Sequence, residues 1–446
     1  MAAPFHGATR PLHHSCAFRL NQALGAARAG TAKPFCASLN TPLLLLTLYD
    51  PLCPMNKRAL FIIFITVFVD MLGFGIVIPL LPLYVKQFGA SAVTCTAVLA
   101  SYLIAQTLCA PILGRISDRV GRRPVLIASL AGSAASFFML GWAPSLLWLF
   151  VARIMSGITG GSVSAAKSYI ADLTTKENRA HGMGILGAGI ALGYVFGPPV
   201  GGALGHYHIT LPYYVAGGIA LLNCIAAVVI LPLPPQPTPS ERSDELSSLG
   251  YARRAFSQPR LGAYLGIIFC TTLTFSLFTG TYALFCEQGL GFSQGKIGIL
   301  FGFTGVVAAV VQGGLIRPLV KRAGELPLVV AGAAMLALSM ALLPLAASVA
   351  AILTVLLLVT CGNGFNGPTL LALVSHEAPP QEQGRALGFE QSVESVARIA
   401  GLLLGGALFD LYHWAPYGFG AVLMALGCAL AMIQMRRHDS PAPPKA

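Results

Sequence analysis

Apolar residues in this chain lie in long runs that contain few charges. Runs of about 20 apolar residues recur along the sequence, and each is long enough to form one helix across a lipid bilayer. We predict twelve such spans, at 59–84, 93–113, 124–142, 146–170, 182–204, 212–231, 262–285, 296–316, 327–344, 348–373, 385–408 and 415–435.

The longest internal polar segment separates the first six predicted spans from the last six. It holds five prolines between positions 232 and 239, followed by serines and mixed charges, a composition that favours a flexible or polyproline-like linker. We therefore predict an all-α membrane protein with twelve transmembrane helices in two six-helix bundles. The predicted parts are the bundles 55–231 and 262–436, a cytoplasmic linker 232–261 and a tail 437–446.

The composition excludes an ordinary soluble protein. Hydrophobic residues make up 55% of the chain and charged residues 10%, whereas soluble domains carry about 25% charged residues. Ten cysteines are scattered, mostly inside apolar runs, without metal-ligand or disulfide spacing, so we interpret them as small buried hydrophobic residues. The sequence contains no nucleotide-binding loop of the G-x-x-x-x-G-K-[ST] type and no recognisable catalytic set. We expect neither an enzyme nor a cofactor or metal.

A net charge of +12 would suggest nucleic acid as the partner of a soluble protein, but here the positive charge sits in alternate loops. With the N-terminus inside, only Lys86 and Lys296 fall on the outer side. Loop Lys and Arg bias therefore predicts that both termini are cytoplasmic. The inner side then holds Lys57, Arg58, Arg115, Arg119, Arg122, Arg123, Lys176, Arg179, Arg242, Arg253, Arg254, Arg260, Arg317, Lys321, Arg322, Arg385, Arg436 and Arg437.

Residues 1–54 differ from the rest, because four basic residues precede the first acid, Asp50. An acid-poor, Arg-bearing leader can be a transit peptide, and its apolar patch Leu43–Leu48 is too short to span a bilayer. We expect a disordered leader instead, since Met55 followed by Asn-Lys-Arg and the first span resembles a natural start. A start at Met55 fits a bacterial inner membrane, whereas a genuine leader fits an organelle.

The two halves repeat small motifs at a shared offset. Small-residue matches in apolar sequence arise by chance, but the common spacing and the central linker favour duplication. Parallel repeats of six spans describe a large transporter fold with its substrate site near the midplane. The matched pairs are Gly201-Gly202-Ala203-Leu204 with Gly405-Gly406-Ala407-Leu408, Gly184 with Gly388 and Pro212-Tyr213 with Pro416-Tyr417; a weaker echo pairs Arg119, Gly121 and Pro124 with Arg322, Gly324 and Pro327.

A basic loop at 114–124 lies between the second and third spans. A positive-inside anchor explains its arginines but not an aspartate and two glycines, which indicate a tight turn and a charge contact. Asp118 can pair with arginines or lie at a helix end of the other half, and such a contact would hold the cytoplasmic side closed. The candidate gate, which points to a transporter, comprises Gly114, Asp118, Arg119, Gly121, Arg122 and Arg123.

These features resemble the major facilitator superfamily over residues 57–436. Gly114 to Arg123 is similar to its loop signature G-x-x-x-D-R-x-G-R-R. The fifth span resembles the signature associated with antiporters, through Gly193, Gly197, Pro198, Pro199, Gly201 and Gly202. The first span resembles that of the drug:proton antiporters, particularly the tetracycline-efflux group, through Asp70, Gly73, Gly75, Pro79 and Pro82. Arg153, Gly157, Gly160 and Gly161 resemble a fourth-span motif linked to proton coupling. The eighth span lacks the histidine of the best-known tetracycline exporters, which puts tetracycline itself in doubt.

Ionisable residues inside spans are the candidate proton-coupling groups. Arg153 costs about 2.5–3.5 kcal/mol on insertion scales and must find an acceptor. We expect Asp70 in the same half to be that acceptor, either as a static pair or as a carboxylate that takes a proton when the two separate. In the eleventh span Glu390, Glu394 and Arg398 share one helical face. We interpret Glu390 as a salt-bridging group near water, and Glu394 with Arg398 as either a second protonation or cation-recognition site or a self-contained pair.

Pro198 and Pro199 are expected to bend the fifth span, while the nearby glycines allow a close, rotating interface or mere packing. Polar and aromatic residues in apolar spans are candidate substrate contacts, although each alone is more often an interhelical hydrogen bond. Their mix with Phe275, Phe278, Phe301 and Phe365 suits an amphipathic, aromatic substrate. The candidates are Tyr102, Gln106, Tyr194, Tyr282, Gln312, Asn363 and Asn366, with Thr274 beside them.

The sequence therefore predicts a monomeric secondary transporter in the cell (inner) membrane that exports a hydrophobic or amphipathic compound against proton entry. Its expected partners are a small-molecule substrate, protons and the lipid bilayer, and not nucleic acid. Two alternatives stay open at this point. One is a metabolite, sugar or siderophore transporter of the same fold, and the other is a non-transporting membrane receptor or scaffold.

Overall fold

The structure, a computed structural model, describes residues 57–173, 179–231, 255, 258–379 and 382–439, all within the unit Met55–Ala446. Predictions for the leader and for most of the linker lie outside these residues. The described part is helical, with the elements α1 Lys57–Lys86, α2 Ala92–Val120, α3 Arg122–Trp142, α4 Leu146–Ile158, α5 Ser162–Leu173, α6 Arg179–Tyr207, α7 Leu211–Ile230, α8 Pro259–Leu290, α9 Gln294–Val310, α10 Ile316–Ala323, α11 Glu325–Leu342, α12 Val349–Glu377, α13 Gln383–Leu411 and α14 Ala415–Asp439.

Eleven helices of the described part are long and apolar enough to cross a membrane. They correspond to eleven of the twelve predicted spans, with α9 and α10 joined in one of them through a π-helical turn, Val311–Leu315. The fourth predicted span, 146–170, differs. It is divided into the short helices α4 and α5, and α4 is too short to count as a span. The all-helical membrane fold is confirmed, whereas the division into two six-helix bundles stays a prediction.

Gly121 and Gly324 form equivalent joints between helices. Gly121 has φ 99° and ψ 159°, and Gly324 has φ 85° and ψ 172°. Each ends one helix and begins the next, and each lies against the proline three residues later, Pro124 or Pro327. A side chain at a positive φ is strained, so both corners favour glycine. The weak sequence echo between the two basic segments therefore corresponds to one backbone conformation used twice.

The helices pack through apolar and small residues. The most extensive contacts are those of α1 with α6, α8 with α13 and α9 with α6, and α13 also packs on α2. The short loops 87–91, 208–210, 291–293 and 412–414 lie at one end of the helices, which we call the Asp410 end after the residue that closes α13. The opposite end carries the basic loop and Arg317 to Arg322, and we call it the arginine-rich end.

Candidate functional site

The division between α4 and α5 places a hydroxyl against the carboxylate of the first span. Gly160 and Gly161 follow Thr159, the last residue of the α4 cap, and α5 begins at Ser162. The Ser162 hydroxyl donates a 2.6 Å hydrogen bond to Asp70 Oδ2, and Ser133 also bonds to this carboxylate. The sequence analysis did not single out Ser162, because it treated 146–170 as one continuous apolar span.

Asp70 and Arg153 do not form the ion pair that the sequence analysis expected. The Arg153 side chain is 3% exposed, and its guanidinium lies over the Tyr102 ring, 4.4 Å from the ring centroid. The two serines occupy the carboxylate instead. A buried cation over an aromatic face gains about 2 kcal/mol when it is desolvated, which offsets much of the cost of placing arginine in a span.

Tyr102 connects several of the predicted substrate contacts. Gln106 Nε2 donates to the Tyr102 hydroxyl and to the Gly160 carbonyl, at 2.9 Å each. The Phe74 ring stands between two tyrosines, with centroids 5.7 Å from Tyr102 and 6.0 Å from Tyr194. Three aromatic rings and one amide are thereby joined next to the division between α4 and α5.

Tyr194 faces the charged pair of the eleventh span, since the charges of Arg398, Glu394 and Asp70 act on its hydroxyl. Arg398 Nη2 donates to Glu394 Oε1 at 2.7 Å, and Gln391 donates to the other Glu394 oxygen at 3.0 Å. Tyr194 is 39% exposed, and both charged side chains are partly exposed. We call the opening that they border the central cleft, defined by Tyr102, Gln106, Tyr194, Glu394 and Arg398.

Glu390 contradicts the expectation of a water-exposed salt bridge. It is 9% exposed, and its carboxylate makes no hydrogen bond or ion pair with another described residue. Glu394, which was expected to be the deeper and functional acid, is the more exposed of the two and has both oxygens bonded. Spacing alone placed both acids on one face but could not tell which of them reaches the cleft.

In the basic loop Asp118 pairs with an arginine, which is one of the two contacts proposed for it. The Arg122 Nη1 to Asp118 Oδ1 distance is 2.7 Å, and Asp118 is 64% exposed. Among the residues that the structure describes, no hydrogen bond or ion pair joins Asp118 to a helix end of the other predicted half. Arg123 donates to the Val228 carbonyl at 2.6 Å, and a cation at the carboxyl end of α7 is favourable for the helix dipole. Gly114 and Arg119 are exposed.

The glycines of the fifth span lie in close helix contacts. Gly193, Gly197 and Gly201 face α1, where a Cβ on Gly197 would stand 2.7 Å from the Leu72 carbonyl oxygen. Gly202 faces α9, and a Cβ there would stand 2.9 Å from Gly298 Cα. α6 continues as a helix through Pro198 and Pro199, and the Pro199 ring lies against Gly302. The close helix contact expected of these glycines is present, whereas the bend at the two prolines and a rotating interface stay predictions.

The Asp410 end is closed by contacts that the sequence analysis missed. Asp410 accepts hydrogen bonds from the backbone N–H groups of Ala92 and Val93, at 2.8 and 3.0 Å, which are the first two of α2. Lys86 pairs with Glu287 at 2.8 Å. Asp410 did carry one signal, because an acid at the carboxyl end of its own helix is unfavourable there, which indicates a partner elsewhere.

The arginine-rich end is more open along the same helices. The contacts of α6 with α9 run from Gly202 beside Gly298 to Tyr194 and Val195 beside Gly305. Further toward the arginine-rich end, no heavy atom of the described residues lies within 4 Å of the Cβ position at Gly184 or Gly187 on α6, or at Gly313 or Gly314 in the π-helical turn after α9. The same is true of Gly114 on α2 and Gly388 on α13. α6 and α9 therefore separate toward the arginine-rich end, and the central cleft opens in that direction.

Two of the other predicted substrate contacts are buried in the helix packing. Tyr282 is fully buried between Phe278 and Phe301, at ring distances of 4.9 and 5.3 Å. Asn366 is fully buried and donates to the Thr271 hydroxyl at 3.2 Å, the interhelical hydrogen bond of the alternative interpretation. Gln312 is exposed within the π-helical turn, and Asn363 is half-buried. No group of three metal-ligating side chains is present in the part of the chain that the structure describes.

Comparison with known proteins gives consistent relatives. Residues 63–402 match the model of the Major Facilitator Superfamily. The chain is 31% identical to the class C tetracycline resistance protein of Escherichia coli, covering 79% of this chain and 90% of that protein. It is 29% identical to multidrug resistance protein 1 of Bacillus subtilis (strain 168), covering 85% and 97%. The crystal structure of the human organic anion transporter MFSD10 (TETRAN) matches with a TM-score of 0.64 and 25% identity, covering 85% of this chain and all of that one.

Proposed function

The chain belongs to the Major Facilitator Superfamily, and on that premise we propose that it is a proton-coupled antiporter. It is a multi-pass membrane transporter and not an enzyme. In the proposed reaction it exports an amphipathic, drug-like compound while protons enter, and it works by alternating access. In the proposed orientation the arginine-rich end and both termini face the cytoplasm of a cell with an inner membrane, as the loop charges predict.

One observation carries the alternating-access part of the proposal: the closed Asp410 end contrasts with the separation of α6 and α9 at the arginine-rich end. The Asp410 end is held by polar contacts, by glycine-to-backbone surfaces and by apolar residues of both predicted halves that belong to one buried cluster. Asp118, paired here with Arg122 of its own loop, can reach a helix end of the other half when the arginine-rich end closes. The cleft would then open on the Asp410 side.

Proton coupling is supported by the surroundings of Asp70. A carboxylate with two neutral hydrogen-bond partners can gain a proton without the loss of an ion pair, so its protonation is set by burial and by nearby charges. Tyr102 is bonded to Gln106, which donates to the Gly160 carbonyl two residues before Ser162, the residue that donates to Asp70. Substrate binding against Tyr102 can therefore alter the position of the groups that hold Asp70.

The substrate class follows from the same residues. The exposed Tyr194, the half-buried Tyr102 and one amide lie beside a partly exposed ion pair, a set that suits an aromatic compound with a polar or charged end. The names of the relatives, a tetracycline and a multidrug resistance protein, agree with such a substrate. Tetracycline itself is not implied, because His is absent from α9, Val311–Leu315 and α10.

Purified protein in liposomes with an internal pH dye tests the proposal. Under an imposed pH gradient, addition of ethidium or a tetracycline should cause proton movement and opposite substrate movement that a protonophore abolishes. The inactive control is Asp70→Asn, and Ser136→Ala, which removes a hydroxyl bonded only to the Ser133 carbonyl, is the control for an ordinary polar change. Substrate movement that is indifferent to the pH gradient would reject proton coupling.

A further inference from the structure

We infer that Glu390 on α13 is a second proton-binding residue of the transport cycle. The sequence analysis reserved this role for Glu394, one turn further along the same helix. The inference rests on the proposed antiport, since it adds a proton site to that mechanism. It is carried by the burial and the missing partners of Glu390, both of which differ from those of its neighbour.

Glu390 is a buried carboxylate without a bonding partner. Its side chain is 9% exposed, and within the described residues no hydrogen bond or ion pair reaches it. Glu394, by contrast, has Arg398 on one oxygen and Gln391 on the other. An acid held by a cation and an amide is a stable carboxylate, whereas an acid in apolar surroundings without a partner favours its neutral, protonated form.

Packing of α13 on α8 explains why Glu390 is buried. Gly401 lies against Leu273 and Gly405 against Leu277, so the two helices run parallel in a constant register. The same residue offset applied to Glu390, toward the start of α13, places it beside the first turn of α8, near Gly262. Glu390 shares this face with Ala397, which is fully buried. The residue thus lies toward the arginine-rich end, where the cleft is open.

The charges around Glu390 belong to its own helix. Those that act on it are Glu394, a like charge one turn away, and Arg398. The neighbouring helices offer other titratable groups at this level, but none of the described ones bonds to Glu390. Tyr264 on α8 lies among the charges of Arg260 on the same helix, Glu377 at the end of α12 and Glu325 at the start of α11. The remaining groups on helices in contact with α13 are Arg115, Asp118 and Arg119 on α2, His376 on α12, and Arg436 and Arg437 on α14.

The proposed step involves one proton and no other reactant. In the form described here, which is closed at the Asp410 end, the O–H bond of the Glu390 carboxyl breaks. The proton passes to water in the cleft at the arginine-rich end. The carboxylate that remains is opposed by Glu394 and is partly balanced by Arg398. After the cleft has switched to the Asp410 side, the carboxylate takes a proton from that side. Glu394, which is paired with Arg398, takes no part in this step.

Infrared spectra of the purified full-length protein test the site without any transport. A pH titration should show carbonyl bands of protonated carboxyl groups, and one of these bands should be lost in Glu390→Gln but retained in Glu394→Gln and in Asp70→Asn. Glu390→Asp should keep a band with a shifted titration midpoint, which excludes misfolding as the cause of the loss. An identical band in wild type and Glu390→Gln, or the absence of any such band in wild type, would overturn the inference.

Transport then separates this inference from the proposed function. In liposomes, Glu390→Gln should release fewer protons per ethidium molecule than wild type, while exchange of internal for external ethidium continues. Glu394→Gln should leave the proton count unchanged. Wild type that moves no protons would reject the antiport proposal itself. If wild type moves protons and Glu390→Gln has the same proton count and pH profile as wild type, only the role of Glu390 is rejected.

Discussion

At the residue scale, the two ionisable groups of the first and fourth spans are each held by neutral partners. Asp70 accepts from Ser162 and Ser133, and Arg153 lies on the face of Tyr102. Neither has a charged partner to lose, so protonation of Asp70 changes the local charge without breaking an ion pair. A group of this kind can bind and release a proton within one cycle more easily than a salt-bridged acid.

Asp70→Asn is therefore expected to stop proton-driven export while leaving substrate binding in place. The amide keeps a hydrogen bond to Ser162 but cannot carry a proton. Ethidium binding, followed by fluorescence in detergent, should change by less than about tenfold, the equivalent of about 1.4 kcal/mol. Uptake into acid-loaded vesicles should fall to the protonophore baseline. Active, pH-driven uptake by this variant would remove Asp70 from the coupling mechanism.

Tyr102 offers a second test, because its ring and its hydroxyl have separate contacts. Tyr102→Phe retains the ring under Arg153 and loses only the Gln106 bond, whereas Tyr102→Leu removes the ring as well. The phenylalanine variant should be less stable by about 1 kcal/mol, the value of one hydrogen bond. The leucine variant should be less stable by about 3 kcal/mol, since it also loses the desolvated cation–π contact. Thermal unfolding in detergent gives both values. Equal stability losses would show that the ring contact contributes nothing.

At the element scale, the helices were predictable and their interruptions were not. Apolar length sets a span, so eleven predicted spans correspond to helices within several residues of the expected ends. The apolar pattern did not predict the division of the fourth span at Gly160 and Gly161, because apolar residues continue on both sides of it. Contacts between residues far apart in sequence could not be predicted either. Asp410, for example, contacts Ala92, which is 318 residues away. Burial likewise reversed the expected ranking of Glu390 and Glu394, since both share one face.

Asp410 stabilises the contact between α13 and α2 as a capping residue supplied from another helix. Hydrogen bonds to a charged acceptor and the positive helix end together contribute about 1–2 kcal/mol at this exposed position. Asp410→Asn should shift the population toward forms open on that side by about 5- to 30-fold. The rate at which a membrane-impermeant maleimide labels a single cysteine at Tyr194 from the Asp410 side measures the shift. Asp410→Glu, which keeps the charge, is the matched control, and equal labelling of all three proteins would contradict this role.

Asp118 is expected to stabilise the contact between the two halves at the arginine-rich end, in the conformation in which that end is closed. Asp118→Asn should abolish export while protein level in the membrane stays intact, because the pair with Arg122 is local and exposed. Surface ion pairs contribute at most about 1 kcal/mol to stability, so folding should not suffer. Immunoblotting and drug efflux from cells check the two halves of the prediction. Normal efflux by the variant would leave the basic loop as a charge anchor alone.

At the scale of the whole molecule, the same pair of helices is in contact at one end of the protein and separated at the other. α6 and α9 are in contact near Gly202 and Gly298 and separate before Gly187 and Gly313. The two glycine joints, at Gly121 and Gly324, sit at equivalent corners of the arginine-rich end. A transporter with this geometry needs only a rocking movement about the cleft to exchange which end is open, and proton binding at the cleft can select between the two forms.

Spin-label distances at both ends of α6 and α9 test this account most directly. In a background without native cysteines, one pair at Met183 and Arg317 reports the arginine-rich end, and one pair at Tyr207 and Ser293 reports the Asp410 end. Acidification or ethidium should change the two distances in opposite directions, and Asp70→Asn should remove the response to pH. Two distances that stay fixed, or that lengthen and shorten together, would contradict proton-coupled alternating access.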